Sequence, residues 1–200
     1  AFLDSDDEWL PNKIEYQLCA ISKNPNIKIF HSNEVWMRNG FKVSQKKHKK
    51  KGGNIFYDCL KNCCVSPSNV MINKNIFKKY GLFDEKLPVC EDYEFWLRLA
   101  TKEMFFLLSQ ELSIKYEDRN DHLSKVYWGL DRYRLRGLES LLKNKCLTKN
   151  QRVNSMKMIL LKIDIILNGA IKRGNKNLVL KYKKKRCYWD RKLNENLLVN

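Results

Sequence analysis

The chain has 200 residues, 44% of them hydrophobic and 12% aromatic, which is enough for a real core and too apolar for a disordered chain. A formal net charge of +17 and a pI near 9.6 leave nucleic acid, an anionic membrane surface or a phosphate-bearing substrate as partners. Lys outnumbers Arg and Asn is abundant, a bias that an AT-rich genome produces without selection for binding.

Ala1 to Leu3 reads as the end of a buried strand, so the chain opens in mid-domain with sequence expected upstream. Pro11 suits the first turn of a helix, where its missing N–H costs nothing. Ile14, Leu18 and Ile21 line one face of that helix, and Asn24-Pro25-Asn26 stops it. Ile27 to Met37 alternates as a strand, Asn39-Gly40 signals a hairpin, and Phe41 to Val43 returns. A basic loop, "QKKHKKKGGN", leads to a short helix over Ile55–Lys61. Ser68–Ile72 is predicted as a short buried strand, and Asn73–Tyr80 as a helix closed by Gly81. A further helix covers Glu91–Thr101, followed by two strands, Phe105–Leu108 and Leu112–Tyr116. Beyond about Glu117 the pattern turns helical. One amphipathic helix is expected over Ser124–Lys143, a second opens with the capping-box pair Thr148 and Gln151 and stops near Gly174, and a very basic third begins at Asn175. The division expected is an α/β part over 1–117 and a helical extension over 118–200.

The seven cysteines are scattered without a CxxC, and the three His lie away from paired thiols. That is no zinc spacing and fits free thiols in a reducing cytoplasm. The longest apolar stretch, Met156 to Ala170, is interrupted by Lys162 and Asp164 and is too short to span a bilayer.

Two acidic groups carry chemistry. In "FLDSDDEWLP", Asp4 and Asp6 form an Asp-x-Asp at a predicted strand end, where alternation points both side chains one way. Hard carboxylate oxygens suit Mg²⁺ or Mn²⁺, especially when a diphosphate completes the coordination. The plain alternative is a helix start, where acidic residues are favoured by capping and the dipole. Glu91-Asp92 opens a helix far downstream, with the same plain alternative and a functional one, a general base taking a proton from a nucleophile.

Together "FLDSDDEWLPNKIEYQ" and "SPSNVMINKNIFKKYGLFDEKLPVCEDYEFWLRLA" resemble, in the right order, the metal-site and acceptor-side segments of family 2 glycosyltransferases. The resemblance covers most of residues 1–143. It implies the C-terminal portion of a GT-A (Rossmann-like) nucleotide-diphospho-sugar transferase domain, followed by a helical tail. It further implies Asp6 as metal ligand, Asp4 as a metal or donor-sugar contact, Asp92 as catalytic base, Glu91 as its neighbour positioning acceptor or base, and Trp96 as a wall of the acceptor pocket, unless Trp96 simply packs in the core. Ser66, Ser68 and Asn69 would lie beneath the site. The implied reaction is inverting transfer from a nucleotide-diphosphate sugar, UDP-linked by expectation, to a hydroxyl of a glycan or lipid-linked acceptor in surface-glycan synthesis.

One departure concerns the loop after the last predicted strand. Relatives have Gly-Gly-His-x-Asp before Leu-Ser, whereas this chain has Arg119 where the His would stand, with His122 three residues on. Arg119 is the candidate for a phosphate contact there. Because the strands that bind the nucleotide base in this family are missing, these 200 residues alone are expected not to turn over a sugar nucleotide.

The basic loop could neutralise a diphosphate. "LVLKYKKKRCYWDRKL" interleaves Tyr182, Tyr188 and Trp189 with Lys and Arg, a pattern suited to an anionic membrane surface. Nucleic acid is disfavoured, because no zinc finger, RNP or helix-turn-helix pattern occurs. The expected location is the cytoplasm, with peripheral contact at the inner face of the membrane. Two other readings remain open: a metal-dependent phosphohydrolase using the same carboxylates, and a non-enzymatic basic module bound to membrane or nucleic acid.

Overall fold

The computed structural model describes residues 1–45, 49–117, 126–143 and 147–198. A mixed five-stranded sheet has the order β1–β5–β2–β3, with β4 paired separately to β2. Its strands are β1 (Asp7–Trp9), β2 (Ile29–Arg38), β3 (Phe41–Val43), β4 (Met71–Ile72) and β5 (Phe105–Tyr116). β2 and β5 are parallel, and the β1–β5, β2–β3 and β2–β4 pairs are antiparallel.

The helices are α1 (Lys13–Lys23), α2 (Phe56–Lys61), α3 (Asn75–Tyr80), α4 (Glu91–Ala100), α5 (Asp131–Leu141), α6 (Lys149–Lys172) and α7 (Lys176–Leu198). The expected α/β part followed by a helical tail is therefore observed. Its two parts share one core: Ile29, Phe95, Trp96 and Phe105 belong to the same buried cluster as Leu135 and Leu138 of α5, Ile159 and Ile163 of α6, and Leu193 of α7.

Several elements follow from local chemistry. Asn39 and Gly40 take positive φ of 49° and 76°, the conformation of a two-residue hairpin turn joining β2 and β3. Gly81 ends α3 at φ 81°. The capping box is complete: the Gln151 N–H donates to Thr148 Oγ1 at 3.2 Å, and Gln151 Oε1 accepts from the Thr148 N–H at 3.0 Å.

Other expectations are corrected. Ala1–Leu3 is not a strand: Phe2 packs edge-on against Phe77 and Phe83, and pairing with β5 starts only at Asp7. The Asp-x-Asp therefore sits in a turn that leads into a strand, closed by the Asp7 N–H on the Asp4 carbonyl at 3.1 Å. The two predicted strands around Ser109 are one strand, β5. The break survives as a register shift, with Ser32 opposite Leu108 but Asn33 opposite Glu111. Ser68–Ile72 divides into a 3₁₀ turn over Pro67–Asn69 and the two-residue β4.

In α1 the buried residues are Lys13 and Gln17, while Ile14 and Leu18 are exposed. A polar network beneath the sheet claims that face, so the apolar stripe points largely outward. Of the helix expected over Ser124–Lys143, Ser124 and Lys125 lie outside the described residues; the chain turns at Gly129, with φ 66°, and α5 runs on from Asp131. Lys46, Lys47 and His48 of the basic loop, the 118–125 segment and Cys146 lie outside the described residues. The other six cysteines are free thiols. Among the described residues no helix is long and apolar enough to cross a membrane.

Candidate functional site

Three pieces of chain converge: the turn before β1, the 3₁₀ turn Pro67–Asn69, and the start of α4. Ser68 ties the first two together. Its Oγ accepts from the Asp4 N–H at 3.1 Å, and its carbonyl accepts from Trp9 Nε1 at 2.8 Å. Below it, Asn69 is fully buried and bonded on every side. Its Oδ1 accepts from Ser32 Oγ at 3.0 Å and Ser113 Oγ at 2.7 Å, its Nδ2 donates to Glu34, and its carbonyl accepts from Gln17 Nε2 at 2.7 Å. Gln17 in turn accepts from Lys13 Nζ at 2.7 Å. This is what buries the polar face of α1.

Glu34 also accepts from Trp36 Nε1 at 2.8 Å and Ser66 Oγ at 3.1 Å, and pairs with Lys50 at 3.0 Å. Burial alone would raise the Glu34 carboxyl. The Lys50 charge and these hydrogen bonds outweigh it and hold the group below the usual carboxylate range. A cavity of about 780 Å³ opens beside this pair, with Trp36, Gln45, Lys49 and Glu111 in its wall.

The acidic segments that stood far apart in sequence lie within one another's field. Burial raises the Asp4 carboxyl; Lys115 opposes that, while Asp7, Asp6 and Asp92 add to it. Burial likewise raises Glu91, against its own backbone N–H and together with the charges of Asp92 and Asp4. Asp7 has a side chain only 1% exposed, and its carboxylate oxygens meet no donor at full hydrogen-bond geometry among the described residues; burial raises the carboxyl, with Lys115 and the nearby Ser68 hydroxyl opposing it. Its one close countercharge is the Lys115 ammonium at 3.6 Å, directly across the β1–β5 pair. Burial would lower Lys115, but Asp7, Glu34, Asp4 and Asp6 together raise it.

Asp92 lies in the first turn of α4. The helix is entered through Cys90 at φ 63°, a left-handed conformation costly for a residue with a Cβ. Asp92 Oδ1 accepts from the Tyr93 N–H at 2.6 Å, and Oδ2 accepts from the Cys63 thiol at 3.1 Å. Trp96 is fully buried against Phe83 and Phe95, so it backs the site from within the core instead of presenting a surface to a ligand; its Nε1 has no partner among the described residues. Arg119 and His122 lie outside the described residues.

Among the described residues no three His, Cys, Asp or Glu side chains are grouped so as to hold a metal by themselves. Mg²⁺ sites commonly use one or two carboxylates with substrate phosphates, and the surplus carboxylates around Asp4 and Asp6, including Asp7, fit a hard cation of that kind. Asp4, Asp6, Glu91 and Asp92, singled out from the sequence, lie near one another, and Glu34, Lys50, Lys115 and Cys63, which the sequence did not single out, lie beside them. Of these Glu34 and Lys115 had a local signal, a charge inside a predicted strand, and the partner of Lys115 emerges only with the cross-strand register.

A family model described as "Glycosyltransferase like family 2" matches residues 1–149. An uncharacterized glycosyltransferase of Methanocaldococcus jannaschii is 32% identical over 134 residues, which is 63% of this chain and 44% of that protein. The UDP-Glc:alpha-D-GlcNAc-diphosphoundecaprenol beta-1,3-glucosyltransferase of Escherichia coli is 34% identical over 101 residues, 50% of this chain and 37% of that one. The chain thus spans less than half the length of these curated relatives. In structure it resembles Staphylococcus aureus TarS, with a TM-score of 0.52 at 15% identity over 80% of this chain and 44% of the other.

Proposed function

The chain belongs to the family 2-like glycosyltransferases, with the mixed α/β sheet and helical tail of a GT-A-like fold, and from that premise we propose that it carries the metal side and the acceptor side of an inverting sugar transfer. The observation that carries this reading is that Asp4, Glu91 and Asp92 lie within one another's electrostatic field, with Asp6 acting on Asp4 as well. Asp92 takes the proton of the acceptor hydroxyl, which then attacks the anomeric carbon from the face opposite the nucleotide. Asp92 is oriented for this by the Tyr93 N–H and the helix that carries it. Asp6 and Asp4 would hold Mg²⁺ or Mn²⁺, which when bound supplies neutralisation of the leaving diphosphate's charge. Glu91 positions the acceptor beside the base. The name of the Escherichia coli relative supports a UDP-linked donor and a lipid-diphosphate-linked sugar as acceptor.

Peripheral membrane contact belongs to the same reading. On α7, Lys181, Lys183 and Lys184 stay exposed, while Lys185 and Arg186 are engaged by Glu139 and Asp164.

The test uses the protein that carries this chain, with UDP-glucose, Mn²⁺ and p-nitrophenyl phosphate as probes. Asp92→Asn should lower UDP release by roughly 10²–10⁴-fold, and Asp6→Ala should weaken Mn²⁺ binding followed by electron paramagnetic resonance. Metal-dependent phosphate release from p-nitrophenyl phosphate, without turnover of UDP-glucose, would replace this reading with the phosphohydrolase.

A further inference from the structure

We infer that Cys63 is a positioning residue for Asp92: its thiol holds Oδ2 in place, and can turn to the Val65 carbonyl when that oxygen receives a proton. The inference rests on the reading of Asp92 as the base. Its geometry is independent of that reading.

Asp92 has two oxygens with different duties. Oδ1 is taken by the Tyr93 N–H at 2.6 Å, a bond within α4. Oδ2 is met from another element by the Cys63 Sγ–H at 3.1 Å. The same thiol lies 3.3 Å from the Val65 carbonyl. A thiol has one proton, so it serves one acceptor at a time. While Asp92 is a carboxylate, the charge draws the S–H to Oδ2. Once Oδ2 has accepted the proton of the acceptor hydroxyl, that attraction is lost, and the S–H can rotate to Val65. The base is thus held before the transfer without a donor obstructing the oxygen after it. No bond to sulfur forms or breaks.

The surroundings keep the thiol in that role. Burial, then the Asp92 charge and the hydrogen bond to it, push the Cys63 thiol well above the usual range, against the opposing pull of Val65 and Lys50. It therefore remains a protonated donor at neutral pH. The loop that presents it follows α2, and α2 is tied to α4 by the Tyr93 hydroxyl, which donates to the Leu60 carbonyl at 2.9 Å. Thiol and carboxylate are consequently carried on two elements bound to each other.

Two measurements test this, one of them free of any need for turnover. In the first, iodoacetamide labelling at pH 8 is followed residue by residue by mass spectrometry. Asp92→Asn removes the charge that, after burial, keeps the thiol protonated, together with the carboxylate acceptor of its hydrogen bond, so Cys63 should label measurably faster. The exposed Cys19 and Cys187 should label at their original rates. An unchanged Cys63 rate overturns the contact.

In the second, UDP release from UDP-glucose is measured with Mn²⁺. Cys63→Ala should lower kcat about tenfold with KM for UDP-glucose unchanged, and Cys63→Ser, which keeps a donor, should recover to within about threefold. Wild-type kcat in Cys63→Ala, or equal losses in the Ala and Ser variants, overturns the positioning role. If Cys63→Ala is normal while Asp92→Asn is inactive, only the positioning role falls. If Asp92→Asn keeps wild-type kcat, the base reading falls and takes this one with it.

Discussion

Asn69→Ala is the substitution on which the packing argument depends most. Asn69 is fully buried, and its carboxamide makes three bonds: to the Glu34 carboxylate, from Ser32 Oγ at 3.0 Å, and from Ser113 Oγ at 2.7 Å. Truncation deprives two buried hydroxyls of their acceptor. With some freedom to rotate, each costs about 1 kcal/mol. It also removes one donor from a buried carboxylate, at about 2 kcal/mol, although Trp36, Ser66 and Lys50 continue to serve that group. The sum is about 4 kcal/mol, or a fall in Tm of roughly 8–16 °C for a chain of this size. Thermal unfolding followed by circular dichroism at neutral pH, with urea titration beside it, measures both. Asn69→Asp provides a control that keeps the volume but sets a second carboxylate against Glu34, and its loss should be larger at neutral pH than at pH 5. A loss below about 1 kcal/mol in Asn69→Ala would show that the network does not hold the site together.

Three further outcomes follow from the same structure. His31 is buried, and burial first and then Lys50 push it from 6.5 down to about 4 against the Lys51 carbonyl and Glu34. The unfolded chain therefore binds the extra proton between those values, and stability is lost as pH falls from 6.5 through 4, by at most about 3 kcal/mol. NMR titration should find the His31 ring neutral at pH 5.5, and protonation near 6.5 would refute this. Asp4→Asn should raise Tm at pH 7, because a carboxyl lifted above its ordinary 3.8 disfavours the folded state increasingly as pH rises through the raised value. The gain should vanish below pH 3.8, and a variant less stable than the parent at pH 7 would refute the assignment. Gly52→Ala would place a Cβ 3.1 Å from the Leu107 backbone nitrogen and 3.2 Å from the Phe105 carbonyl, so it should cost about 1–3 kcal/mol by urea unfolding; an unchanged midpoint would show that the loop gives way.

Much of the local structure was legible in the chain. Asn39-Gly40, Gly81 and the Thr148–Gln151 box each act through their own backbone within a few residues, so their reading needs no knowledge of neighbours. The acidic motifs were legible for a similar reason, since carboxylates clustered in short segments are rare enough to stand out. The errors share a cause. The outward-facing stripe of α1 and the failure of Ala1–Leu3 to form a strand both depend on what the rest of the chain places beside them.

By itself, then, the sequence determined the mixed α/β order and the helical tail, and it singled out the four acidic residues proposed for the site, because helix caps, turn residues and charge clusters are short-range properties. Only the tertiary structure decided that Lys13 and Gln17 are buried, that Lys115 faces Asp7 across a strand pair, that Trp96 belongs to the core, and that Cys63 meets Asp92. Each of these turns on which distant segment lies opposite. Register and packing settle that only when the whole chain closes on one core, where a buried polar atom must find its partner wherever the fold has placed one.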